Sequence, residues 1–203
     1  MKRIRRVVFC FVMASGLASV VAFIVCQPSP RFSTPQLPMA PDRELPRAEL
    51  HLRDGRLYCG VETNSFTGWM VEHYANGALK SRSAVSAGLL HGLSQGWHTN
   101  GQLQVTEHFK EGISHGPRTK WHPNGMKLSE GEIIAGKFHG TFRRWSESGF
   151  LIDQVEFTAG QPHGIALAFF ESGFVKRWAR IKDGIITDQK SWNDGEQKEA
   201  ISN

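Results

Sequence analysis

The chain has few covalent ties available to it. It contains three cysteines. Cys10 and Cys26 lie in or at the end of an apolar segment, so Cys59 is the one thiol of the body and no bridge can form within it. Outside its first six residues it also has no surplus of one charge. Lys2, Arg3, Arg5 and Arg6 carry four of the 24 basic residues, and the other 20 face 19 acidic ones. A near-neutral body is not a footprint for nucleic acid, and it lacks the polybasic clustering that draws repeats onto anionic lipid. No phosphate-binding loop, paired-cysteine motif or His-Glu-x-x-His occurs. Asp153, Glu156 and Glu171 are scattered, with no recurring carboxylate pair. These absences argue against an enzyme, and no cofactor or metal is expected.

What is present begins at the N-terminus. The basic residues 1–6 precede "VVFCFVMASGLASVVAFIVC", residues 7–26, which holds no charge. Twenty helical residues rise about 30 Å, enough to cross the hydrocarbon core. The segment is longer than a cleaved signal's apolar region and ends in Ile24-Val25-Cys26 rather than small residues. It is read as a signal anchor that leaves the N-terminus cytoplasmic and the rest outside. Cleavage to a secreted protein, or lipid modification at Cys26, are the alternatives. Residues 27–47 follow as a linker, with six of the nine prolines at 28, 30, 35, 38, 41 and 46. Proline-rich spacers extend about 3.1 Å per residue.

The rest is periodic. Glycines stand at 68, 92, 116, 140 and 164, each 24 residues after the last. A second set follows at 77, 101, 125, 149 and 173, and a third at 88, 112, 136, 160 and 184. Such periodicity marks a repeat architecture. Joins reading "ANG", "TNG", "PNG" and "ESG" separate short strand-like runs. Asn-Gly is a hairpin signal because both primed-turn positions take positive φ. The second join, "AGKFHG" or similar, reads as a longer turn. The expectation is an all-β repeat: an elongated antiparallel sheet of stacked hairpins, about five units over residues 48–192. A partial unit around Asp54-Gly55 caps its start, and a polar tail, 193–203, follows its end.

One face is expected to run through the units. Val85, Phe109, Ile133, Phe157 and Ile181 end the second strands, and Leu79, Leu103, Lys127, Leu151 and Val175 lie six positions earlier. Equal parity puts both sets on one face. First strands add His73, Trp97, Trp121, Trp145 and Phe169. Trp97, Trp121, Trp145 and Phe169, with Arg143 and Arg144, form the candidate binding surface, against a simpler reading in which the tryptophans are core.

The pairs His91-Gly92, His115-Gly116, His139-Gly140 and His163-Gly164 also recur. Equivalent residues of neighbouring two-strand units stand about 10 Å apart. Two ligands of one metal bond at about 2.0–2.1 Å. The four histidines therefore read as a turn element that bonds backbone or packs beside its glycine, with a pH-sensitive ladder as the lesser alternative.

The stretches "RDGRLYCGVETNSFTG", "YANGALKS" and "GLLHG" resemble the bacterial variant of the MORN repeat, and the antitoxin-associated family built from it. The resemblance covers roughly residues 50–192. It implies a sheet of stacked hairpins that serves as a binding or scaffolding module. The expected function is a membrane-anchored protein-interaction module with an unidentified protein partner. Glycan or cell-wall binding through an aromatic ladder, or an antitoxin or immunity role, are the alternatives. Self-association through an exposed sheet edge stays open.

Overall fold

The computed structural model describes residues 43–196. The anchor segment and most of the linker lie outside the described residues. Among the described residues, no helix is long and apolar enough to cross a membrane. The strands are β1 (Glu44–Pro46), β2 (Leu50–Arg53), β3 (Arg56–Cys59), β4 (Gly68–His73), β5 (Leu79–Ser86), β6 (Leu89–Trp97), β7 (Leu103–Lys110), β8 (Ile113–Ser114) and β9 (Gly116–Trp121). They continue as β10 (Lys127–Ile134), β11 (Lys137–Trp145), β12 (Leu151–Thr158), β13 (Gln161–Phe169), β14 (Val175–Lys182) and β15 (Ile185–Ser191).

From β4 onward the strands pair antiparallel in chain order, except that β7 pairs with β9 and the short β8 pairs with β7 alone; with β1 they make a long 13-stranded sheet. The expected stack of hairpins is what forms. One pairing departs from the expected antiparallel order. Glu44–Pro46, placed in the linker by sequence, pair in parallel with β4 and close the sheet's first edge. The Asp54-Gly55 segment makes a separate two-stranded sheet of β2 and β3.

The two kinds of turn exchange the roles read from the sequence. In the Asn-Gly joins only the glycine is left-handed: Gly77, Gly101 and Gly125 each have φ of +83°, and their asparagines do not appear at positive φ. The loop is wider than two residues, since the Tyr74 N–H donates to Ala78 O and the Gly77 N–H to Tyr74 O. Asn76 Oδ1 accepts the Ala78 N–H at 3.0 Å. The second join is the tight one. Ala87 and Gly88 have φ of +47° and +78°, and Ala135 and Gly136 +49° and +78°. Two consecutive positive values define the primed hairpin turn. Asparagine stabilised the looser loop through its side chain, and alanine was accepted where asparagine was expected.

These tight turns stack. The N–H of Gly88 donates to Phe66 O at 2.7 Å, Gly112 to Leu90 O at 2.8 Å, Gly136 to Ser114 O at 2.8 Å, Gly160 to Phe138 O at 2.9 Å and Gly184 to Pro162 O at 3.0 Å. At Gly88 a Cβ would also come within 2.8 Å of Arg56 Cβ, so the cap's close approach adds to the conformational demand.

The expected single apolar face does not form. Register opposes Trp97 to Leu103, Trp121 to Lys127, Trp145 to Leu151 and Phe169 to Val175. It opposes Gly92 to Phe109, Gly116 to Ile133, Gly140 to Phe157 and Gly164 to Ile181. Between the two rows each second strand carries a bulge; Gly96 pairs Val105 but Trp97 pairs Leu103, leaving Gln104 as the extra residue. An extra residue reverses the alternation. Positions of equal parity on either side of it therefore face opposite ways. The tryptophans share a face with Leu103 and Leu151, while Phe109, Ile133, Phe157 and Ile181 take the other.

Burial is concentrated where the small sheet covers the large one. Leu50, Leu57, Phe66 and Val85 form a core, with Phe66 and Val85 each only 1% exposed. Full burial of such a side chain contributes about 1.5–3 kcal/mol. Later in the sheet, Phe138, Phe142 and Phe157 cluster on the face of Ile133, with ring centroids 4.9–6.2 Å apart.

A left-handed alanine is strained by roughly 1–2 kcal/mol, whereas asparagine tolerates that region. Ala159, with φ of +52°, tests the turn assignment. Ala159→Asn is expected to raise the urea midpoint of unfolding, by about 0.5–1 kcal/mol of stability. A lowered midpoint would contradict a primed turn there.

Candidate interaction surface

The first strand of each unit ends in the aromatic row, and the residue after it ties that row to the next unit. Tyr74 Oη donates to Trp97 O at 2.7 Å. His98 Nε2 meets Trp121 O at 2.9 Å, and His122 Nε2 meets Trp145 O at 3.0 Å. A carbonyl only accepts, so both imidazoles carry their proton on Nε2. Asn100 Nδ2 donates to Pro123 O and Asn124 Nδ2 to Glu147 O, each at 2.7 Å. The tryptophans are thus held from one unit to the next by tyrosine, histidine and asparagine. His98 and His122 stand 24 residues apart, at equivalent positions of the repeat, but that equivalence alone does not disclose this bond. The signal was the substitution of Tyr74 at the same phase, another long side chain with a terminal donor.

Trp97, Trp121, Trp145 and Phe169 are half-buried on one face. Lys127 Nζ stands 5.0 Å from the Trp145 ring centroid. The neighbouring basic pair is divided. Arg143 lies across from Glu130 and Gln154, with its Nε donating to Gln154 Oε1 at 2.9 Å. Arg144, one residue on, faces the other side and pairs with Asp153. The structure therefore joins Arg143 to the tryptophan face and removes Arg144 from it. The carboxylate of Asp153 raises the Arg144 pKa above its ordinary value through a side-chain hydrogen bond. Glu130 accepts from Lys127 Nζ at 2.7 Å and lies 3.4 Å from Arg143 Nη1. The Lys127 hydrogen bond, with Arg143 adding to it, holds the Glu130 carboxyl below its usual range.

A second apolar feature was not anticipated. The residue after the turn glycine is Met126, Phe150 or Phe174 in the later units, and these are 44%, 46% and 43% exposed. They recur at one phase of consecutive units, and the Met126 side chain reaches the Gly149 turn of the next unit. Their phase holds Ala78 and Gln102 in the earlier units, so no periodic apolar signal announced it.

The His-Gly histidines serve the tight turns. His115 Nδ1 accepts the Ala135 N–H at 3.3 Å, and His163 Nδ1 accepts the Asp183 N–H at 3.4 Å. Thr67 does the same for Ala87 at 2.9 Å in the first unit. His91 and His139 occupy the same phase. Among the described residues no three His, Cys, Asp or Glu gather to hold a metal ion. At Gly116, φ is +118° and a Cβ would meet His108 Cβ at 3.2 Å, so that glycine is set by both conformation and a crowding neighbour.

A hairpin-repeat protein with an aromatic face and an open edge is the class this arrangement defines. The sequence pattern of the MORN repeat variant matches residues 90–111, which span the β6–β7 hairpin. No match to a curated protein was found.

Two measurements test the surface. Replacing His98 or His122 by Phe removes the donor to a tryptophan carbonyl and is expected to cost about 1–3 kcal/mol. Tyrosine at either position, the solution used at Tyr74, is expected to cost less. Equal losses for Phe and Tyr in chemical denaturation would show that the bond contributes nothing. Glu130 adds a pH dependence. A carboxylate held low stabilises the fold above its ordinary range and loses that contribution as pH falls through the lowered value. Glu130→Gln is expected to lower stability at neutral pH and to converge on the wild type in acid; a gap that persists at all pH values would reject the ion-pair account.

Proposed function

We propose that this chain is a non-catalytic protein-interaction module, displayed outside the cytoplasm by its N-terminal membrane segment. MORN repeats are generally protein- or membrane-interaction modules, and that family is typically non-catalytic. The observation that carries the reading is the recurrence of exposed Met126, Phe150 and Phe174 at one phase of consecutive units, in a sheet that also leaves Trp121, Trp145 and Phe169 only half-buried. Contiguous exposed apolar groups of this kind mark contact surfaces, and aromatic residues and methionine are enriched in protein interfaces. Its titratable neighbours are committed to ion pairs such as Glu130 with Lys127.

A glycan-binding reading draws on one observation. Trp97, Trp121, Trp145 and Phe169 lie on a single face at the spacing of alternate strands, about 10 Å, and none is fully buried. Affinity capture with the immobilised full chain separates the two. A protein retained from solubilised envelope, and lost on Phe150→Ser/Phe174→Ser substitution, is the expected result. Retention of the chain on isolated cell wall, with no protein captured, would transfer the function to glycan binding.

A further inference from the structure

The sheet treats its cations differently at its two ends. In the earlier units many face carboxylates, Lys110, Lys120 and Lys137 excepted. Arg82 pairs with Glu44, Lys80 with Glu72, Arg118 with Glu107, Lys127 and Arg143 with Glu130, and Arg144 with Asp153. β14 reads VKRWARIK and contains no acid. Its Lys176, Arg177, Arg180 and Lys182 are exposed, as is Lys190 of β15. Among the described residues, none of these five has a carboxylate within ion-pair distance. Lys176 stands over the Phe170 ring at 5.5 Å and Arg180 over the Trp178 ring at 5.8 Å, contacts that leave both charges uncompensated.

These charges flank β15, the longer of the two strands that end the sheet; the other is the three-residue β1. β15 is the last strand of the order, and every residue in it is exposed. The Trp192 N–H donates to Lys176 O at 3.1 Å. Alternation along the strand then turns the N–H and C=O of Lys190 and Asp188 toward β14, and those of Gln189 and Ser191 outward. The outward pair stands opposite Ala179 and Arg177. Away from that edge, on the face of β12–β14, Ala166, Ala168 and Ala179 line a groove of about 250 Å³ with Asp153 and Arg177.

We propose that the outer edge of β15 accepts an acidic, extended polypeptide segment as the next strand. Its backbone bonds Gln189 and Ser191, and its carboxylates meet Arg180 and Lys190 on one face of the sheet and Arg177 on the other. The proposal rests on the interaction-module reading and names the chemistry of the partner. A second copy is disfavoured, because two such edges would bring five cations against five, with only Asp183 and Asp188 on each β14–β15 hairpin to offset them. A lipid surface would use the charge and leave the edge idle.

The test titrates the full chain in detergent micelles against a fluorescein-labelled peptide of alternating glutamate and valine, read by polarisation. Binding is expected, weakening as salt rises. Arg177→Ala/Arg180→Ala is expected to weaken it by about tenfold or more. Gln189→Pro is expected to weaken it comparably, because proline removes an outward N–H while sparing the ladder to β14. Circular dichroism controls for folding, and the two variants alter different groups, so either one suffices if folded. Several results overturn the proposal. They are no binding, equal binding by Gln189→Pro, binding to phosphatidylglycerol vesicles in place of the peptide, and binding that appears only when residues 197–203 are deleted. If Gln189→Pro still captures the envelope partner, the edge assignment falls and the interaction module stands.

Discussion

Each tight turn hangs on a carbonyl of the unit before it, and the rest of the sheet follows from that bond. The Gly N–H that makes it, from Gly88 to Gly184, lies at the second position of a primed turn. The residue before it also takes positive φ, although it is Ala87, Glu111, Ala135, Ala159 or Asp183 rather than glycine. Thr67, His115 and His163 accept the N–H of that strained residue. The His-Gly pair is thus a device for turn stacking. Once successive turns are stacked, strand register is set, and register decides which side chains share a face.

A second consequence is asymmetry along the sheet. The first edge is closed by β1, with Arg82 and Glu44 paired across it, and the first face is closed by β2 and β3 over Val85. Neither kind of cover recurs at the other end among the described residues. Ile185 and Ile186 are 69% and 52% exposed there, against 1% for Val85 at the covered end. Repeats need distinct ends to stay soluble, and this chain makes one end from its own residues while the other end is charged. Edges left open are ordinarily guarded by charge. Here positive charge outnumbers negative, five cations to Asp183 and Asp188, which biases the guard toward an acidic partner.

Much of this was legible before the structure. Glycine spacing located the turns, and aromatic and β-branched runs located the strands. The phase of the histidines pointed to backbone bonding rather than ligation, and His115 and His163 do bond backbone. Three features were not legible. The bulges at Lys80, Gln104, Leu128, Ile152 and Lys176 have no shared chemistry, so nothing in the composition marked the point where alternation reverses. The division of Arg143 from Arg144 follows from that alternation, and adjacent letters in a sequence look like a pair. Asn-Gly was read as the primed turn because both residues can adopt positive φ, yet Asn76, Asn100 and Asn124 each use the side chain to accept an N–H two residues on.

The sequence by itself determined what is local and periodic: where the chain turns, how long each strand runs, and that no titratable cluster recurs. Those properties depend on residues a few positions apart, and repetition made them visible. Tertiary structure decided what depends on pairing between strands. It selected which face holds the tryptophans, which cations find carboxylates, and which edge is covered. Each of these is set by the register between neighbouring strands, and a single bulged residue is enough to reverse it.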